Sequence, residues 1–281
     1  MTELTSVRAP ATRGLRAPVR TPTRRYWHAL GVLTKRNLKV RYSTTKLGYL
    51  WTVLDPLLMG GVYYFVFGKL MGRGSAGETP YIVFLLTAML PWQWFNQAVG
   101  GASSAFNKES RLIQSVKMPR SLWISSGVVE KGLEFVFSLP VLALFIVIYR
   151  LPLASNSFYT IPLAFALQIV VTMGVCMLIA PLTLFYEDLD RVISVFLRVL
   201  FYASPVLYSV SRVTSSTAPE WFKVVYGMNP MVGILELYRS VFFAKELDWT
   251  HVAQSAIVST IFLVIGVIVF RACERRVLKE L

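Results

Sequence analysis

Arg36-Asn-Leu-Lys-Val-Arg-Tyr-Ser-Thr-Thr-Lys-Leu-Gly-Tyr-Leu-Trp-Thr-Val-Leu-Asp-Pro56 joins a basic, amphipathic segment directly to an apolar run that carries an acid and a helix breaker. The basic half suits an anionic membrane surface. The apolar half places Asp55 about 12 Å beyond Leu47 at the helical rise per residue. Pro56 removes the backbone bond to the carbonyl of Thr52. A simple anchor needs neither feature, so the junction marks the start of a working membrane protein.

The rest of the chain agrees. Its 281 residues are 55% hydrophobic with a mean hydropathy of +0.55 and a net charge of +14, a pairing expected when Lys and Arg flank membrane spans on one side. A nucleic-acid binder can share such a charge, but here the basic residues form short blocks between apolar runs, so no nucleic acid is expected. Cys176 and Cys273 propose neither a disulfide framework nor a metal site. Residues 1–25, rich in Arg, Pro, Thr and Ala, read as a disordered basic tail without the apolar region of a signal peptide.

Apolar runs approaching or exceeding the ~20 residues that a bilayer requires lie at Leu47–Leu70, Tyr81–Phe106, Leu122–Tyr149, Tyr159–Phe185, Val192–Val210 and His251–Phe270. The connections alternate. Met71–Pro80 holds only Arg73 and Arg150–Phe158 only Arg150, whereas Asn107–Ser121 holds Lys108, Arg111, Lys117 and Arg120. The basic-rich side is the cytoplasmic one, so the pattern predicts six spans with both termini inside the cell. The expected units are a tail at 1–25, an interface helix at 26–46, a transmembrane domain at 47–270 and a basic tail at 271–281. Trp221–Phe243 is a poor seventh span because it holds Lys223, Glu236 and Arg239 and is broken at Asn229-Pro230. It reads instead as two short helices dipping into the outer face, which requires cover from protein or a water-filled cavity.

Charges within spans face a cavity or a partner. Asp55, Glu130, Glu134 and Arg198 are expected to share one layer, with Arg198 paired to Glu130 or Glu134 within a subunit or across an interface. The turn Tyr186-Glu-Asp-Leu-Asp-Arg191 reads as a solvated, helix-capping turn. On the first helix, Trp27, Leu30, Leu38 and Tyr42 are predicted on one face and Lys35, Arg36 and Lys39 on another. Arg41 breaks that pattern and must find a partner or snorkel. The chain has no G-x-x-x-x-G-K-[ST] loop, no H-E-x-x-H and no G-x-S-x-G, so no catalytic or nucleotide site is nominated.

Three groups of residues resemble the membrane subunits of polysaccharide-exporting ABC transporters of the O-antigen and teichoic-acid type. The first is Arg36-Asn-Leu-Lys-Val-Arg-Tyr42 with Leu47-Gly-Tyr-Leu-Trp51 and Leu54-Asp-Pro-Leu-Leu58. The second is Leu90-Pro-Trp-Gln-Trp-Phe95 with Leu112-Ile-Gln-Ser-Val-Lys-Met-Pro-Arg120. The third is Phe201-Tyr-Ala-Ser-Pro-Val-Leu-Tyr208 with Asn229-Pro230 and Tyr238-Arg239. Glu187-Asp188 departs from the Arg-Asp pair usual in that family.

The resemblance implies an all-α integral membrane protein of six spans in the bacterial inner membrane. It would act as a homodimer with two copies of a separate P-loop ATPase, which would bind the ATP and magnesium; this chain would hold no cofactor. The cargo would be a glycan on a polyprenyl diphosphate, with a cell-wall galactan favoured by the tail composition. Lys35, Arg36, Lys39 and Arg41 would lie on the interface helix near lipid phosphate. Lys108, Glu109, Arg111, Lys117 and Arg120 would form the ATPase-coupling segment Asn107–Arg120. Gate helices would fall at Pro219–Tyr226 and Pro230–Phe243, and Trp51, Trp92, Tyr202, Tyr208, Tyr226 and Tyr238 would supply flat faces along a channel. An exporter of a drug or small lipid, or a membrane glycosyltransferase, are the competing expectations.

Overall fold

The computed structural model describes residues 22–43, 46–72, 80–106, 118–186, 188–243 and 247–280. Among these, every regular element is helical. In chain order they are α1 (Pro22–Ser43), α2 (Trp51–Tyr63), α3 (Tyr81–Ser103), α4 (Ser121–Tyr149), α5 (Ser157–Phe185), α6 (Leu189–Ala203), α7 (Val210–Thr214), α8 (Glu220–Gly227), α9 (Pro230–Arg239) and α10 (Trp249–Glu280). A 3-10 turn at Gly48–Leu50 leads into α2. Gly48, at φ +50°, takes there a left-handed conformation that favours glycine. Beyond Tyr63 the helix continues to Leu70 in wider, π-type turns, closed by the Met71 N–H donating to the Val66 carbonyl at 3.0 Å.

All six apolar runs are helical, but they are unequal. Among the described residues, Trp51–Leu70, Ser121–Tyr149, Ser157–Phe185 and Trp249–Glu274 are the four helices long and apolar enough to cross a membrane. Helix α3 contains Gln93, Asn96 and Gln97 and is lined with buried residues along most of its length; it is covered by protein, which lets it carry amides. Helix α6 stops at Ala203, short of the expected Val210, because Ser204 turns extended ahead of Pro205 and a pre-proline residue disfavours the helical region. Its 15 residues reach only about 22 Å. At the C-terminus, α10 runs through the segment expected as a tail.

The core forms where α3, α4, α5, α9 and α10 meet, with Trp94, Phe135 and Phe165 stacked on one another. Helices α5 and α10 have the most extensive contact. It passes through Gly174 and Gly266, where an added Cβ would meet facing backbone at 2.5 and 2.2 Å. Small residues of this kind allow membrane helices to approach closely. Helix α1 lies across the first turns of α4, with the Tyr26 and Ser125 hydroxyls 3.1 Å apart. Its buried stripe is Leu30, Leu33, Thr34 and Leu38, at helical spacing. Trp27, expected on that stripe, is 65% exposed; Leu33 and Thr34 take the inward positions, so the helix is rotated from the predicted phase.

Candidate functional site

The basic end of α1 meets the first half of α4 in a charged cluster. Arg41 lies 3.4 Å from Glu134 and 3.7 Å from Glu130. Lys131 lies 2.8 Å from Glu134 and 3.7 Å from Glu130. Lys131 and both glutamates are buried. Arg36 donates to the Asn37 side-chain oxygen at 3.4 Å. Burial, reinforced by the Glu134 carboxylate that accepts its hydrogen bond, pushes the Tyr42 phenol up. Tyr42 therefore stays protonated and serves as a donor. Ionised groups this deep require such mutual pairing.

Arg41, the residue that spoiled the amphipathic pattern, thus does find partners. Arg198 does not join them. It is exposed on α6 and makes no ion pair within the described residues, because the buried stripe of α6 is Ile193 and Leu197 and Arg198 points away from it. Within one chain, the cations of the layer are Arg41 and Lys131. Asp55 is exposed on α2 and lines a cavity of about 90 Å³ shared with Arg41, Lys131 and Glu134. A wider cleft of about 380 Å³, bounded by Arg36, Arg41, Gln97, Trp123, Glu130 and Lys131, opens between α1, α3 and α4. Gln97, Arg41 and Lys131 border both spaces, so the ion cluster is the wall between them.

Lys35 and Lys39 are exposed on α1, Arg36 is half-buried against the wider cleft, and Arg41 is bent into the cluster. Lys108, Glu109, Arg111 and Lys117 lie outside the described residues. Arg120, at the start of α4, is 3.7 Å from Glu274 on α10. In the acidic turn, Asp188 occupies the N-cap of α6 without a side-chain capping bond. Asp190 instead accepts a short hydrogen bond from Ser103 at the end of α3. The turn is docked on α3 where capping was expected.

At the other end of the bundle, Arg239 is the pivotal side chain. It is 0% exposed, donates to the carbonyls of Tyr208 and Val206 at 3.0 and 2.9 Å, and lies 3.7 Å above the Phe84 ring. Glu236, one turn earlier on α9, is 3.1 Å from His251 on α10. Asn229 caps α9 by accepting from the Met231 N–H and donates to Ser204. In the sequence, Glu236 and Arg239 count against a span and Arg239 also belongs to the family resemblance, but neither is paired there. The signal available was their spacing of three on one helix face.

The aromatic residues divide. Trp51 and Tyr202 are 40% and 62% exposed. Tyr208 is half-buried, donating to the Tyr202 carbonyl at 3.0 Å. Tyr226 is buried at the end of α8. Trp92 packs against Phe95 and Phe201, and Tyr238 lies edge-on to Phe135. The last three serve the core of the single chain.

Residues 28–243 match the model of the ABC-2 type transporter family. The chain belongs to that family. Among curated relatives, this ABC-2 type chain is 33% identical over 247 residues to the O-antigen export system permease protein RfbA of Klebsiella pneumoniae, covering 88% of this chain and 92% of that one. The RfbA of Myxococcus xanthus is 31% identical over 237 residues, covering 82% and 86%. The polysialic acid transport protein KpsM of Escherichia coli is 22% identical over 247 residues, covering 86% and 92%. In this ABC-2 type protein the matched region holds the whole Arg41–Glu134 cluster and both α8 and α9.

Proposed function

We propose that the chain is the permease subunit of an ABC transporter that exports a polysaccharide, carried on a polyprenyl diphosphate, across the bacterial inner membrane. The observation that carries this reading is the similarity to O-antigen export permeases along 88% of the chain, which takes in the charged cluster and its two cavities. On this reading α2, α3, α4, α5, α6 and α10 form six spans with both termini cytoplasmic. Helices α8 and α9 form a re-entrant pair at the outer face. The cluster end then faces the cytoplasm, where the lipid-linked glycan is made.

The subunit works as a homodimer. Supporting this, α2 and α6 are neighbours through Tyr63 and Phe201, whose rings are 5.8 Å apart, and both expose a charge, Asp55 and Arg198, among apolar residues. A charge facing lipid is expensive, whereas a second copy brought to this face would enclose both around a polar lumen. Energy comes from two copies of a P-loop ATPase that bind ATP and magnesium and grip Asn107–Arg120. Lys35, Arg36 and Lys39 attract the lipid phosphates. A galactan is the favoured glycan.

Depletion of the protein tests the reading. Lipid-linked glycan should accumulate on the inner leaflet, and a P-loop ATPase should co-purify with the tagged chain. If no glycan accumulates, export of a small lipid or drug replaces this reading.

A further inference from the structure

We propose that the cavity between α2 and α3 is a subsite for the hydroxyl-bearing edge of a sugar ring. This rests on reading the chain as a glycan permease. Two pairs of side chains one turn apart face each other there, Trp51 with Asp55 on α2 and Gln93 with Gln97 on α3. Residues spaced by four lie on the same helix face, so α2 contributes an indole and a carboxylate and α3 two carboxamides, with the ion cluster of α1 and α4 closing the remaining wall. Asp55, Gln93 and Gln97 are not enclosed, and none makes a hydrogen bond or ion pair within the described residues. Their neighbours Arg41, Lys131 and Glu134 are engaged with one another.

The unused groups define the ligand chemistry. A carboxylate accepts from two hydroxyls at once, and a carboxamide donates to one oxygen while accepting from another. Neighbouring hydroxyls on a sugar ring supply both. The indole of Trp51, 40% exposed, offers a flat apolar face for the C–H side of a ring. An acyl chain in the same place would leave three polar groups facing hydrocarbon, which is unfavourable. A phosphate would meet the carboxylates of Asp55 and Glu134, while the Arg41 and Lys131 cations on that wall are already paired with glutamates. Anionic groups are better received across the ion cluster, in the cleft beside Arg36. The cavity of about 90 Å³ receives one edge of a ring as the chain passes.

The test is cysteine protection in the full chain within inverted membrane vesicles. Gln93→Cys, which borders this cavity and not the wider cleft, is placed in a Cys273→Ser background, Cys176 being buried, and labelled with a small methanethiosulfonate. Vesicles from cells that make the lipid-linked glycan should label about tenfold more slowly than vesicles from cells blocked in its synthesis. Gln97→Cys, on the wall shared with the wider cleft, is the second probe and should behave the same way. In cells, Asp55→Ala should slow glycan export about tenfold, and Trp51→Ala should slow it likewise. Equal labelling in both vesicle types, or export by Asp55→Ala at the unaltered rate, overturns the subsite. Failure of the permease reading is separate: it is marked by no accumulation of glycan on depletion, whatever the labelling shows.

Discussion

Among the described residues, two buried charged clusters differ in how their cations are held. At the end where α1 meets α4, Arg41, Glu130, Lys131 and Glu134 satisfy one another side chain to side chain and border two open spaces. At the end where α9 meets the α6–α7 connection, Arg239 donates to backbone carbonyls and lies over an aromatic face, beside the Glu236–His251 pair, with no cavity next to it among those described. Carbonyls are fixed by the fold, so Arg239 is held structurally. Carboxylates can exchange partners, so the first cluster can respond to a ligand. Depth in the membrane does not separate a functional charge from a structural one; the kind of partner does.

Substitutions at Arg239, Lys131, Glu134 and Arg41 probe that contrast. Arg239→Ala should have the largest effect, since it removes two charge-assisted hydrogen bonds worth about 1.5–3 kcal/mol each. A loss of about 4 kcal/mol would appear as a collapse of the thermal midpoint in detergent. Arg239→Lys should fail to rescue it, because an ammonium lacks the planar fork that reaches both carbonyls. A stable Arg239→Ala protein would erase the distinction between the clusters. Next, Lys131→Met strands Glu134 with a half-exposed arginine and should cost about 3 kcal/mol. Adding Glu134→Met removes the stranded charge and should restore most of the stability but none of the export. Recovery of export would make this cluster structural as well.

Smaller effects are expected at the edges. Arg41→Gln should cost only about 1 kcal/mol, since the guanidinium is 49% exposed and its attractions are screened. Export, read as accumulated lipid-linked glycan, should nevertheless fall. The smallest effect tests the start of α10, where Asp248 accepts from the Thr250 N–H at 2.8 Å. That bond holds its carboxyl below the ordinary range, so its contribution is present above the unfolded value and is lost as pH falls through the lowered folded value. Asp248→Ala should cost about 1 kcal/mol at neutral pH. The difference from the unaltered chain should vanish in acid.

The sequence located every long helix because apolar runs and proline breaks are local signals. It also marked Arg41 as a residue in need of a partner, since a charge out of phase with its own helix is visible without coordinates. The partners were a different matter. Choosing between Arg41 and Arg198 for Glu134 depends on how α6 is rotated, and Ile193 and Leu197, which settle that rotation, sit among Val192, Val195, Phe196 and Val199 that are equally apolar. Trp27 and Leu33 were interchanged for the same reason. Trp92, Tyr226 and Tyr238 offered no sequence cue to separate a packed ring from one beside a passage. The coupling residues Lys108, Glu109, Arg111 and Lys117 fall outside the described residues.

The close approach of Gly174 and Gly266 has a mechanical consequence. Helix α10 is 32 residues long, about 48 Å, and Gly266 lies near its midpoint. One arm carries His251 against Glu236, and the other carries Glu274 against Arg120. A stiff rod seated at its middle behaves as a seesaw: a small tilt that lifts one arm depresses the other. A push arriving at Arg120 would therefore reach the α9 side with its direction reversed, and any side chain added at Gly174 would remove the fulcrum.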